Sequence, residues 1–105
     1  MDIADLVKRA QEAQAKAQAL QAQIALMEIE GTSGGGLVRV TLNGKSELKK
    51  LAIDPSLLKP EDREMVEDLV IAAHNDAKTR LDRRVNEEMS RLTQGLGLPP
   101  GLGLS

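Results

Sequence analysis

From Ile3 to Met27 the apolar positions fall at Ile3, Leu6, Ala10, Ala13, Ala17, Leu20, Ile24 and Met27. Steps of three and four alternate without a break, the repeat of a helix that packs along one seam. Alanine and glutamine fill most of the remaining positions, and both favour helix. At about 1.5 Å per residue the rod is ~40 Å long. Its middle is alanine, so a neighbouring backbone can approach closely there while little area is buried. The pattern suits a helix packed on a core, with an arm projecting partly beyond it as the other reading.

The periodicity then changes from helical to alternating. Met27 and Ile29 alternate with Glu28 and Glu30, which predicts a short, half-buried strand. Gly31-Thr32-Ser33-Gly34-Gly35-Gly36 breaks it, because glycine runs supply the positive φ of tight connections. Leu37 to Leu42 follows, with Val38, Val40 and Leu42 on one side and Arg39 and Thr41 on the other. Asn43-Gly44 reads as a hairpin turn, since both residues tolerate the left-handed region. Lys45 to Ile53 forms the third strand, with Leu51 and Ile53 on one face and Lys50 and Ala52 on the other. Together these segments predict a three-stranded antiparallel meander.

Asp54-Pro55 closes the meander, and a second long helix is expected from Pro60 to about Thr93. Pro60 suits a first turn that needs no N–H, and Glu61, Asp62 and Glu64 suit the positive helix end. From Gly95 to Ser105 the alternation of glycine, leucine and proline cannot continue a helix. The chain therefore divides into a domain over 1–94 and a flexible tail over 95–105, whose leucines offer a docking point for a partner. The fold class is α+β: helix, meander, helix.

A core built from these 105 residues contains no aromatic side chain and no cysteine. Stability of so small a domain is marginal without help. Disulfides and thiolate metal sites are excluded, and with one histidine, His74, no structural zinc is expected. A partner subunit is the remaining support, so a homodimer is expected. Aromatic platforms for stacking single-stranded bases are excluded as well. No apolar run reaches the roughly 20 residues that span a bilayer, and the acidic start, Met1-Asp2-Ile3-Ala4-Asp5, lacks the positive charge of a signal peptide. A cytoplasmic protein with no membrane partner is expected.

Candidate chemistry is thin. Gly44-Lys45-Ser46 resembles the end of a phosphate-binding loop, but that motif needs glycine where Arg39 stands, and a helix where a strand follows. Gly34-Gly35-Gly36 lacks the dinucleotide pattern. His74 lies beside Asn75 and Asp76, neighbours that do not face it on a helix. Asp54 reads as a turn former. These residues predict no enzyme, no cofactor, no metal and no small-molecule substrate.

Charge says more. Net charge is −2 and the pI about 5.4, mildly against a polyanionic partner. In the second helix, however, acids crowd residues 61–76, while Lys78, Arg80, Arg83, Arg84 and Arg91 crowd 77–93. At 100° per residue Arg80, Arg84 and Arg91 share one narrow stripe, roughly in line with Val66, Leu69, Val70, Ala73 and Ala77. One face thus begins apolar and ends basic, as in a helix that leaves its sheet toward something anionic. Complementing the helix dipole is the plainer explanation, worth tenths of a kcal/mol per charge. Lys8, Arg9 and Lys16 form a smaller cluster on the first helix, diluted by Glu12.

The motifs as a set resemble the YbaB/EbfC nucleoid-associated proteins of bacteria. They are Gly31-Thr32-Ser33-Gly34-Gly35-Gly36-Leu37-Val38, Asn43-Gly44, Ile53-Asp54-Pro55-Ser56-Leu57-Leu58, Glu67-Asp68-Leu69-Val70, Ala72-Ala73-His74-Asn75-Asp76-Ala77 and Pro99-Pro100-Gly101. Their order and spacing match through almost the whole chain; His74 departs, standing where an aromatic or apolar residue is expected. The resemblance implies a tweezers-like homodimer whose helical arms bind duplex DNA within the nucleoid. By position those contacts fall on Lys8, Arg9, Lys16, Arg80, Arg83, Arg84 and Arg91. The competing expectation is a protein-interaction adaptor whose arms clasp a replication or recombination protein.

Overall fold

A computed structural model describes residues 2–95. The element order is α1 (Ile3–Ala25), β1 (Glu28–Ser33), β2 (Val38–Asn43), β3 (Leu48–Ile53) and α2 (Arg63–Gly95). The strands pair as an antiparallel sheet in the order β1-β2-β3, so the α+β helix–meander–helix expectation holds. Residues 96–105, most of the expected tail, lie outside the described residues, and Gly95 closes α2. The protein measures 71 × 21 × 15 Å, a rod rather than a ball.

The core lies between α2 and the β1–β2 half of the sheet. Register brings Ile29 opposite Leu42, Gly31 opposite Val40, and Ser33 opposite Val38. Val38, Val40 and Leu42 are buried against Ala73, Ala77 and Leu57, with Ile53, Val66, Leu69 and Val70 packed around them. Burying each of the larger side chains is worth about 1.5–3 kcal/mol. β3 receives much less cover: Leu48 is 54% and Leu51 46% exposed.

Gly31 does not break a strand; it lies inside β1, opposite Val40. A Cβ there would lie 2.6 Å from Ala77 Cα and closer still to Ala77 N and Ala73 O. Glycine is needed because helix and strand backbones nearly touch, a cause that no turn pattern reveals. The turn conformation falls instead on Gly34, Gly35 and Gly36, all with positive φ.

The β2–β3 connection also differs from the expected two-residue turn. It spans residues 44–47, positive φ falls on Ser46, and the pairing shifts between Thr41 and Leu42. Asn43 organises the loop: its Oδ1 accepts from the N–H groups of Lys45 (2.9 Å) and Glu47 (3.0 Å), and its Nδ2 donates to Glu47 Oε1 (2.7 Å). At Gly44 a Cβ would overlap the Ile24 carbonyl group. The loop is therefore pressed against the end of α1, and only glycine leaves room.

The two helices form the arm. On α1 only the C-terminal half of the seam is covered: Ile24 is buried and Ala13, Ala17 and Leu20 half-buried. Residues 2–12 are exposed throughout, with Ile3 at 76%, so the projecting-arm reading describes this half. On α2 the face that packs on the sheet continues outward as Leu81, Val85, Met89, Leu92 and Thr93, all buried or half-buried. That face stays apolar instead of turning basic, and the arginines lie beside it. Leu20, Gln23 and Ile24 share a cleft with Arg84 and Glu88, which fixes where the helices meet.

Candidate nucleic-acid interface

The seven cations expected on the arms divide into two environments. Lys8, Arg9 and Lys16 are exposed on α1, and no carboxylate lies within 4.0 Å of them among the described residues. Lys8 and Arg9 sit on the uncovered half of the helix. These are open positive charges.

The α2 arginines are exposed but largely compensated. Arg80 Nε donates to Asp76 Oδ2 at 3.0 Å. Glu88 is shared, with Arg84 at 3.5 Å and Arg91 at 3.0 Å. Arg83 has no such partner among the described residues, but it lines a groove with Arg80, Arg84, Ile29, Glu28, Glu30 and Glu87. Three arginines there share the groove with Glu28 and Glu30 of β1 and with Glu87 of their own helix. The fold brings the arginines together as the helical spacing predicts, and it brings an acidic strand edge to them.

Asp76 ties the root of the arm to the sheet. Its Oδ2 accepts from the Thr32 N–H at 2.9 Å, on the open edge of β1, as well as from Arg80. The Thr32 N–H first, and then Arg80 through its hydrogen bond and charge, hold its carboxyl below the ordinary value. Ser33 Oγ donates to the Leu69 carbonyl at 2.6 Å on the same edge. An unpaired edge attracts foreign strands, and α2 blunts this one. His74 is exposed on α2, so within the protomer its departure from an apolar residue leaves the core untouched.

Element by element, charge is distributed in a way the sequence reading overlooked. α2 holds six bases and seven acids, α1 three bases and two acids. Residues 37–53 hold four bases, Arg39, Lys45, Lys49 and Lys50, and one acid, Glu47. The signal was available as a net +3 over one hairpin in a chain of net −2, but each base alone reads as an ordinary solvated strand position. Among the described residues no group of three potential metal ligands is present, and no helix is long and apolar enough to cross a membrane.

A long, thin pair of helices rooted on a small sheet, its bases on open surface, defines a binding module. The sequence profile of the YbaB/EbfC DNA-binding family matches residues 1–96, and the chain belongs to this family. A nucleoid-associated protein of Rhodopseudomonas palustris is 48% identical over 103 residues, covering 98% of this chain and 97% of that one. One from Brucella anthropi is 52% identical, covering 98% and 96%. The crystal structure of an uncharacterized protein from Helicobacter pylori superposes with a TM-score of 0.68 at 31% identity, covering 88% of this chain and 98% of that one.

Proposed function

We propose that the protein is a nucleoid-associated homodimer that binds duplex DNA through bases on its helical arms. The candidate contacts are Lys8, Arg9 and Lys16 on α1, and Arg80, Arg83, Arg84 and Arg91 on α2. The observation that carries this reading is the projecting half of α1, which exposes open cations on a family scaffold named for DNA binding. Phosphate contacts of this kind give affinity with little sequence preference and strong dependence on salt. Such binding places the protein in the nucleoid, where it contributes to DNA organisation or gene expression.

The dimer surface in this reading is the α2-facing side of β3, where Leu48 and Leu51 lie opposite Leu42 and Val40, the face away from Lys50. The β1 edge is tied to α2 through Asp76 and Leu69, whereas Leu48 and Leu51 stand exposed along an open edge beside the core. A second copy covering them supplies the apolar burial that a domain this small lacks. A second reading, a protein-interaction adaptor, is favoured by one feature: Ile3, Leu6 and Val7 are more than half exposed on α1.

Fluorescence anisotropy of a labelled duplex of about 30 base pairs, titrated at two salt concentrations, tests the function. Wild type should bind saturably and more weakly at the higher salt. The triple variant Lys8→Ala, Arg9→Ala, Lys16→Ala should flatten the salt dependence by about one unit of log–log slope per lost contact. Absence of binding by folded, dimeric wild type at 50 mM salt sinks the DNA reading and leaves the adaptor. Sedimentation equilibrium gives the oligomeric state, with twice 11.3 kDa expected.

A further inference from the structure

We infer that the outer face of the β2–β3 hairpin, bearing Arg39, Lys49 and Lys50, is a second contact surface for the phosphate backbone of duplex DNA. This rests on the DNA-binding reading above and adds to it a surface away from the helical arms.

Strand alternation sets the geometry. Val38, Val40 and Leu42 point toward α2, so Arg39 and Thr41 point away from it. Thr41 is opposite Lys50 and Arg39 opposite Ala52, which makes Arg39 and Lys50 diagonal neighbours on the outer face. Such neighbours lie about 7–8 Å apart. Lys49 falls at the register shift beside Lys50, and Lys45 extends the basic surface into the loop. Arg39, Lys45, Lys49 and Lys50 are all exposed, and none has a carboxylate within 4.0 Å among the described residues. Arg39 Nε reaches the Gly36 carbonyl at 3.4 Å, a long contact that steadies the side chain without neutralising it.

The acids on this side are few and placed apart. Glu47 sits in the loop, engaged by Asn43 and held ionised first by that hydrogen bond, then by Lys49 and Lys45. Glu28 and Glu30 share the outer face on β1; Glu30, opposite Thr41, is a diagonal neighbour of Arg39, but β1 lies two strands from the β3 lysines. That separation is about 10 Å, beyond the Debye length of about 8 Å at physiological ionic strength. No lysine of the hairpin is ion-paired among the described residues, so a polyanion laid across β2 and β3 has no salt bridge to displace there. On α2, by contrast, Lys78, Arg80, Arg84 and Arg91 each hold a carboxylate within 3.5 Å, which a phosphate has to displace. Thr41, half-buried between the bases, adds a hydroxyl of the kind that donates to phosphate oxygens.

The test compares the wild-type chain with Lys49→Ala, Lys50→Ala, with Arg39→Ala, and with a control pair, Lys59→Ala, Arg63→Ala, that changes net charge by as much as the lysine pair. All are titrated against the same duplex of about 30 base pairs over a range of salt. The Lys49, Lys50 pair should lower affinity and make the log–log slope shallower by about two, one per cation removed; Arg39→Ala should lower it by about one. The control should leave the slope unchanged, and Lys49→Arg, Lys50→Arg should restore wild-type binding, separating lost charge from lost structure. An unchanged slope in the alanine pair while wild type binds overturns the hairpin surface and leaves the arms standing. So does an equal loss in the control. Failure of wild type itself to bind overturns both.

Discussion

The sheet end and the arm end are built from one helix, α2, yet they keep different company. Where α2 crosses the sheet, Ala73, Ala77 and Leu81 are at most 1% exposed, and the backbones of helix and strand approach until only glycine fits between them. Where α2 runs beside α1, most seam residues are only half-buried, and the first ten positions of α1 have no cover within the protomer. Burial concentrates stability at the sheet end. The arm relies more on the helix propensity of its alanines and glutamines. A binding surface gains from this division, since the arm can change its outward side chains without loosening the core.

The largest effect expected from that contrast is at Gly31. Its position is filled by the Ala73 and Ala77 backbones, atoms that cannot swing aside as a flexible side chain can. Overpacking costs about 1–3 kcal/mol where side chains can shift, and a backbone clash exceeds that range. Gly31→Ala should therefore remove a large part of the 5–15 kcal/mol typical of a domain. Urea denaturation followed by circular dichroism measures it, and a variant within 1 kcal/mol of wild type would falsify the close approach of α2 to β1.

A paired truncation comes next in size. Leu42, at 0% exposure in the core, should lose about 2–5 kcal/mol on conversion to alanine. Leu20, half-buried in the arm, should lose roughly half as much, because less apolar area leaves water there. Chemical denaturation midpoints at equal slope compare the two. Equal losses would show that the arm is packed as firmly as the sheet.

Most of the architecture was legible in the sequence because periodicity reports local geometry. The change from steps of three and four to strict alternation marks the end of α1, and Val38, Val40 and Leu42 identify the buried side of β2. What escaped depends on residues distant in the chain. Gly31 reads as a turn residue until α2 is laid over it, forty-odd positions later. Asn43-Gly44 reads as a two-residue turn until the end of α1 presses on Gly44 and the Asn43 side chain wraps a longer loop. The α2 arginine stripe was legible as a stripe, and Asp76–Arg80 and Arg84–Glu88 are helical neighbours that spacing alone identifies. The acidic β1 edge facing that stripe was hidden, because only the fold brings Glu28 and Glu30 to Arg83. The hairpin bases are a different case, visible in composition but separated by steps of six, four and one that no helical template collects.

The smallest effect falls at the boundary between the two ends, on Asp76. Its carboxylate accepts from the Thr32 N–H of the sheet and from Arg80 at the root of the arm. Both contacts favour the charged form, so its folded pKa lies below the ordinary 3.8. A carboxyl with a depressed folded pKa stabilises the native state above its unfolded pKa, and this contribution disappears as pH falls through the folded value. Glu47 and Asp54 are depressed as well, by Asn43 and Ser56 respectively, so wild type as a whole should weaken in acid. Asp76→Asn isolates one contribution, because asparagine can still accept from Thr32 but carries no charge for Arg80. At pH 7 the variant should melt slightly below wild type, and the gap should narrow as pH drops under 3.8, where wild-type Asp76 begins to take up its proton. Melting curves followed by circular dichroism between pH 7 and pH 2 measure the gap; if it stays constant over that range, Asp76 does not join sheet to arm through its charge.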